Sequence, residues 1–171
     1  MRVVSITWGR YRVDATINKE NALMRKATVN PATFAYLRGS LLHAESHHDE
    51  ALRQFVQAEG VQVHNRPSLY HKMGECYIAQ RRWVEAEKAF ERSLAVNPIS
   101  GDPHLGLARC HLGRRRSGKA LKAATTAVGL MYANPVGHFL CGRALQGLAG
   151  TTRRLQRTRL KASGLKPGTW D

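Results

Sequence analysis

The chain has 171 residues, of which 43% are hydrophobic and 23% charged, a composition typical of a folded globular protein rather than a disordered one. No apolar stretch approaches the roughly 18 to 20 residues of a membrane-spanning helix, and the apolar segment between Met1 and Trp8 is too short for a secretory signal. We therefore expect one folded domain in the cytoplasm, with no membrane partner. The three cysteines, Cys76, Cys110 and Cys141, are an odd number without close pairing, and predict neither a disulfide framework nor a metal knuckle.

The formal charge of +15 is concentrated in the last third of the chain. Residues 1–100 contain 14 Lys/Arg and 10 Asp/Glu, whereas residues 101–171 contain 13 Lys/Arg and only Asp102 and Asp171 as acidic residues. This asymmetry indicates either a region that attracts polyanions or a segment whose ancestry differs from the rest.

The N-terminal segment alternates β-branched and polar residues in "RVVSITWGRYRVDAT", which predicts an irregular segment or a short β-hairpin over residues 1–17. It is followed by "KENALMRKATVNP", whose pattern parallels "AEKAFERSLAVNP" at residues 86–98. We interpret residues 18–31 as the second helix of a repeat whose first helix is absent.

Small residues then recur at a fixed interval. Gly39, Gly74, Ala108 and Gly142 are spaced by 35, 34 and 34 residues, each within a stretch of helical composition. Polar turn residues fall between apolar-periodic stretches at 47–50, 80–82 and 113–118. Together these patterns predict eight helices, at about 32–45, 48–61, 67–80, 83–96, 102–114, 117–131, 135–149 and 151–163.

The pattern resembles the tetratricopeptide repeat (TPR), which reads W-x2-L-G-x2-Y, then A-x3-F, then P. Residues 70–98 carry the best match. The residues that fit the repeat pattern along the chain are Gly39, Ala51, Phe55, Tyr70, Gly74, Tyr77, Ala86, Phe90, Pro98, Ala108, Ala120 and Gly142. The chain resembles a fragment of a bacterial TPR protein, with repeats at about 32–66, 67–100, 101–134 and 135–168. The last repeat is degenerate, because Arg154 and Thr158 stand where alanine and phenylalanine are expected.

The resemblance implies an all-α, right-handed superhelical solenoid of antiparallel helix pairs, with about three to four TPR units. The small residues allow close approach of the paired helices A and B, and stacking buries the apolar stripe that one pair cannot bury alone. The solenoid is predicted over residues 18–150, followed by a basic C-terminal segment over 151–171. Uncapped ends would allow self-association.

The sequence predicts neither a metal site nor an enzyme. His43 and His47 have the i, i+4 spacing of a zinc pair, but they lie at a helix end and no cysteine is near them in the sequence. No nucleophile elbow, phosphate loop, zinc-protease motif or dinucleotide fingerprint is present. We therefore expect no catalytic residues and no cofactor.

The A helices are expected to line a concave groove that binds a peptide or protein partner. The candidate groove residues, offset from the packing stripe, are Tyr36, Ser40, His43, His71, Glu75, Ile78, Leu105, Arg109, Phe139 and Arg143. Arg109 and Arg143 would favour an acidic part of the ligand. Chaperone-binding TPR domains hold a carboxylate with Lys and Asn on successive A helices. Here Tyr36, Ser40 and His71 stand at about those positions, so that clamp is not predicted.

Two alternatives to a peptide-binding scaffold follow from the same sequence. The array could be the non-catalytic regulatory or substrate-presenting part of a larger bacterial enzyme. Alternatively, the basic clusters at 114–116 and 153–161 could bind nucleic acid or another polyanion through counterion release.

Overall fold

The computed structural model describes residues 30–60 and 67–162, with the side chains of 159–162 excepted. These residues form seven α-helices and no strand: α1 Pro31–Ala44, α2 His48–Glu59, α3 Pro67–Ala79, α4 Trp83–Val96, α5 Gly101–Gly113, α6 Ser117–Leu130 and α7 Pro135–Ala162. The all-α prediction is confirmed for this part of the chain. The segment predicted over 1–17 and most of the partial helix predicted before residue 31 lie outside the described residues. No helix among those described is both long and apolar enough to cross a bilayer.

The first helix of each pair is called the A helix (α1, α3, α5 and α7) and the second the B helix (α2, α4 and α6). Asparagine and proline start two of the A helices, α1 and α7. The Asn30 side chain accepts a hydrogen bond from the Ala32 amide at 2.9 Å, and Asn134 accepts one from Val136 at the same distance. Each cap satisfies an amide that has no partner within the helix, and the proline that follows has no amide to leave unpaired. The Asn-Pro dipeptides therefore fix where these helices begin.

The turn between the two helices of a pair recurs three times. Ser46, Arg81 and Arg115 have φ angles of 65°, 58° and 57°, in the left-handed region that non-glycine residues seldom adopt. The next amide bonds back to a carbonyl five residues earlier, as from Arg82 to Tyr77 at 2.9 Å. This αL turn satisfies the last carbonyls of each A helix and reverses the chain, which produces the antiparallel pair.

A phenylalanine ring on a B helix occupies the space that glycine leaves on the A helix. A Cβ atom on Gly39 would lie 2.7 Å from the Phe55 ring, and one on Gly74 would lie 2.6 Å from the Phe90 ring. Phe90 is also in contact with Gly106 of α5, where a Cβ would lie 2.4 Å from the ring. Phe55 and Phe90 are completely buried. Each ring therefore sets the spacing of its own pair, and Phe90 also joins the second pair to the third.

The pairs stack in chain order. Each helix contacts the next one, and the A helices also contact each other in the order α1, α3, α5, α7. Three apolar clusters fill the seams, the first built around Phe55 and Met73, the second around Phe90 and Cys110, and the third around Leu140. The structure therefore has the quasi-one-dimensional core of a solenoid, with contacts confined to neighbouring units.

The fourth pair is not formed, because α7 continues without a break from Pro135 to Ala162. The predicted turn near residue 150 is therefore wrong, as is the separate helix over 151–163. Arg154 and Thr158 are exposed in the described part of α7 and offer no apolar surface to pack against the first half of this helix. Gly142, predicted to be a packing glycine, is exposed, and a Cβ there would meet no atom within 4 Å.

The outer surface of α7 is consequently open and partly apolar. Its exposed apolar side chains include Val136, Phe139, Leu145 and Leu155. Self-association through this end remains a prediction.

A partly buried cluster of charged and titratable side chains lies between α4 and α5. Glu87 accepts a hydrogen bond from the Arg114 guanidinium, and its other oxygen lies 3.8 Å from Nδ1 of the buried His111. Burial lowers the pKa of His111; Glu87 raises it in part, while Lys119, Arg116 and Arg114 lower it further. The folded protein therefore keeps this imidazole neutral at a pH where an unfolded chain would already protonate it.

We expect Gly74→Ala to lower the free energy of unfolding by about 1 to 3 kcal/mol, because the Phe90 ring has glycine on both sides and cannot move away. The matched control is Gly142→Ala, at the equivalent position of the last repeat. It should leave stability unchanged or raise it by up to about 1 kcal/mol, the gain in helix propensity. Urea denaturation of the two variants measures the difference, and equal stabilities would contradict the Gly–Phe contact.

The pKa of His111 predicts that stability falls with acidification. The unfolded histidine titrates near its ordinary pKa of about 6.5, and the folded one at a lower pH, so stability is fully present above about 6.5 and is lost as pH falls through the folded pKa. Urea denaturation between pH 7.5 and 5 should show this loss, and a smaller loss in His111→Gln. Burial also lowers the pKa values of His71 and His104. Both residues are present in the wild type and in His111→Gln, so the difference between the two proteins reports on His111. Identical pH dependence in the two proteins would mean that His111 titrates alike folded and unfolded.

Candidate functional site

The surface of the A helices carries a polar network centred on Glu75. One Glu75 oxygen lies 3.4 Å from Nε2 of His43 on α1, and the other lies 3.8 Å from Nε2 of His71 and 3.9 Å from Nη1 of Arg109 on α5. The structure thus brings four of the predicted groove residues together, from three successive A helices. We call His43, His71, Glu75 and Arg109 the Glu75 network.

His71 contributes an uncharged ring to this network. Burial lowers its pKa, an effect that Glu75 and Asp102 oppose and that Lys72 and His43 reinforce. The imidazole also packs on the Phe90 ring, with 5.5 Å between the ring centroids. The negative charge of Glu75 is therefore balanced at neutral pH by Arg109 rather than by His71.

The α7 end of the surface presents an aromatic ring and a second cation. The Phe139 side chain is 61% exposed, and the guanidinium carbon of Arg143 lies 5.8 Å from the centre of its ring. Arg109, whose side chain is 46% exposed, lies on the adjacent A helix. An apolar anchor and two cations are thus available to a ligand here.

The α1 end is less accessible. The half-buried Tyr36 ring lies 6.1 Å from the ring of Phe55, and the Ser40 hydroxyl donates a hydrogen bond to the Tyr36 carbonyl at 2.9 Å. Ser40 therefore satisfies its donor within its own helix and can offer only its lone pairs to a ligand.

Two predicted groove residues lie in the core instead. Ile78 is 7% exposed and packs with Phe90 and Cys110. Leu105 is 9% exposed and packs with Leu140, and the start of α7 at Gly137 lies beside it. Both are offset from the stripe that faces their own B helix, but the first helix of the next repeat covers them. Assigning Ile78 and Leu105 to the groove was therefore wrong.

A cluster of metal-ligand types lies in the seam between the first two pairs. The Cys76 sulfur is 3.3 Å from Nδ1 of His43, and one ligand atom from each of His43, His48 and Cys76 lies within 4.8 Å of the others. The sequence pairs His43 with His47 instead, and His47 is exposed and outside this cluster. Cys76 is buried, which raises the pKa of its thiol to about 12.

The sequence analysis did not predict that Cys76 lies next to His43, because the two residues are 33 positions apart. The repeat period could have found it, since residues about one period apart lie side by side on neighbouring A helices.

A basic hollow lies at the α7 end, beside the turn between α5 and α6. It has a volume of about 580 Å³ and is lined in part by Arg115, Arg143 and Arg154. Of these three, only Arg143 is among the predicted groove residues.

Comparison with known proteins agrees with this architecture. A family model described as tetratricopeptide repeat matches residues 23–99. The structure is similar to the first TPR domain of human RPAP3, with 16% identity, a TM-score of 0.67 and coverage of 72% of this chain and 96% of that chain. No curated protein matches the sequence significantly.

Two solved complexes are also similar. One is the first TPR of Spaghetti (RPAP3) bound to the HSP90 peptide SRMEEVD, with 16% identity, a TM-score of 0.66 and coverage of 70% of this chain and 94% of that chain. The other is PcrH in complex with the chaperone-binding region of PopD, with 19% identity, a TM-score of 0.59 and coverage of 74% and 96%.

The stacked antiparallel pairs, the recurrent αL turns and the Gly–Phe contacts define an α-solenoid built from helix hairpins. Residues 23–99, somewhat less than half of the chain, match the tetratricopeptide repeat family model. The structural relatives show that the same fold extends over about 70% of the chain.

Proposed function

We propose that this chain is a protein-interaction scaffold that binds a peptide segment of a partner along the surface of its A helices. The observation that carries the proposal is the exposed Phe139 ring, with Arg143 beside it and Arg109 on the adjacent A helix. The similarity to TPR domains solved with a bound peptide or chaperone-binding region supports it.

The chemistry of this end favours a peptide with an apolar side chain next to an acidic one. Phe139 offers aromatic surface at little entropic cost, and guanidinium groups bind carboxylates through paired hydrogen bonds. Arg109 is 3.9 Å from Glu75, beyond hydrogen-bond distance, so that ion pair leaves its N–H donors available to a ligand carboxylate.

The α1 end argues against the carboxylate clamp of chaperone-binding TPR domains. Tyr36, Ser40 and His71 stand at about the positions of the clamp residues, and none of them supplies a cation at neutral pH. We therefore place the acidic part of the ligand near Arg109 and Arg143 instead.

The proposal predicts that groove substitutions weaken binding selectively. A peptide selected from an array on the wild-type chain should lose about 30-fold in affinity with Phe139→Ala, equivalent to about 2 kcal/mol for a central anchor. Arg143→Ala should weaken acidic peptides and spare neutral ones, as measured by fluorescence anisotropy.

The matched controls are Leu155→Ala and Arg153→Ala, which change exposed residues further along the same helix. Both should bind like wild type, and circular dichroism should show that every variant tested is folded. Unchanged peptide binding in Phe139→Ala, Arg109→Ala and Tyr36→Ala would refute the groove as the binding surface.

The hollow lined by Arg115, Arg143 and Arg154 supports polyanion binding as a second candidate function. Such binding would fall steeply between 50 and 200 mM salt and would be indifferent to peptide sequence, because it depends on counterion release. A peptide ligand that keeps its sequence preference at high salt would exclude this alternative. It stays a prediction that the array is the regulatory or substrate-presenting part of a larger bacterial enzyme. The cytoplasmic location also stays a prediction.

A further inference from the structure

We propose that His43, His48 and Cys76 form a binding site for a zinc-type transition-metal ion, in the seam between the first and second helix pairs. The proposal does not rest on the peptide-binding function, although His43 is also among the candidate groove residues. It joins the end of α1, the start of α2 and the last turn of α3, so that a bound ion would connect three helices.

The spacing of two of the ligand atoms is close to that of a tetrahedral site. Zinc bonds of about 2.3 Å to sulfur and 2.0 to 2.1 Å to nitrogen imply an S···N separation of about 3.5 Å. The observed distance from the Cys76 sulfur to Nδ1 of His43 is 3.3 Å. All three ligand atoms lie within 4.8 Å of one another. His48 is the first residue of α2 and only partly buried, and binding of the ion would require its side chain to rotate toward the other two ligand atoms.

A carboxylate already supports one of the ligands. When Nδ1 of His43 binds a metal, its Nε2 carries the proton, and a Glu75 oxygen lies 3.4 Å from that nitrogen. Metal-binding histidines commonly donate their second N–H to such a carboxylate, which fixes the ring and raises its basicity. Glu75 is therefore a positioning residue for this site.

A second histidine has an unsatisfied nitrogen. Nδ1 of His48 is shielded from solvent and has no hydrogen-bond partner within the described part of the chain. A buried imidazole nitrogen without a partner costs free energy, and coordination through this atom would supply one.

The donor set selects the metal. One thiolate and two imidazoles suit Zn²⁺ and its spectroscopic substitute Co²⁺, and do not suit Mg²⁺ or Ca²⁺, which require oxygen ligands. On binding, the Cys76 S–H bond breaks, the sulfur bonds to the metal, and the proton passes to solvent without any redox change. Three protein ligands leave a fourth position for water or for a side chain of a bound partner.

Cobalt titration of the reduced, chelator-treated full chain tests the proposal. We expect one Co²⁺ per chain, a thiolate-to-cobalt charge-transfer band in the near ultraviolet, and displacement of the band by one equivalent of Zn²⁺. Zinc should also raise the Tm of the wild-type protein, since it binds the folded chain in preference to the unfolded one. Absence of the charge-transfer band in the wild-type protein would overturn the proposal.

Single substitutions test which side chains bind the metal. Cys76→Ala should abolish the band, and His48→Gln or Glu75→Gln should weaken cobalt binding about 10- to 100-fold. The matched controls are Cys110→Ala, a buried cysteine at the equivalent place on the next A helix, and His47→Gln, an exposed neighbour outside the cluster.

Both controls should bind cobalt like wild type. Circular dichroism tests whether Cys76→Ala is folded. If it is not, His48→Gln, which changes a partly exposed residue, gives an independent test. Retention of the band in folded Cys76→Ala, or wild-type affinity in His48→Gln, would show that this cluster only packs the seam.

Discussion

The contact between a B-helix phenylalanine and an A-helix glycine determines the spacing of this solenoid. Phe55 lies on Gly39 and Phe90 on Gly74, with no room for even one methyl group between ring and backbone. Phe90 also lies against Gly106, so one ring sets the distance within a pair and the distance to the next pair. In the third pair the large side chain comes from elsewhere: the position of Phe90 is taken by the buried Ala124, and Leu140 of α7 packs with it in the same cluster. A large apolar side chain therefore fills the space at each seam, but it need not be phenylalanine or come from the same position of the repeat.

The open end of α7 is the place where this contact is missing. Thr158 replaces the phenylalanine, and its hydroxyl donates to the Arg154 carbonyl within the same helix. Without a ring to bury, reversing the chain would gain little apolar burial and would still require an αL turn, so the helix continues. The same absence leaves Gly142 exposed. The accessible ring of Phe139 and the basic hollow both lie on the helix that would carry the missing partner.

The period of the sequence was sufficient to predict the helices of the first three repeats, their pairing and the small residues between them, because all three depend on contacts within one repeat. It did not predict which side chains the next repeat would cover. Ile78 and Leu105 are offset from the local stripe and yet buried, since their burial depends on how successive pairs are staggered. The length of α7 was missed for a related reason: the repeat period places a break between helices near residue 150, and the lack of a packing partner decides against it. The approach of Cys76 to His43 likewise depends on stacking.

The proposed metal site and the proposed peptide site share one carboxylate. Glu75 lies near His43, a proposed metal ligand, and near Arg109, a proposed peptide ligand, at 3.4 Å and 3.9 Å. A divalent cation bound through His43 would make that ring a stronger hydrogen-bond donor and would draw Glu75 toward it. Arg109 would then lose part of its intramolecular partner and bind an acidic peptide more tightly. Because coupling between two sites is reciprocal, the peptide would raise the affinity for the metal by the same factor. The link would run through a single side chain, because stacking places residues from three A helices around the carboxylate of Glu75.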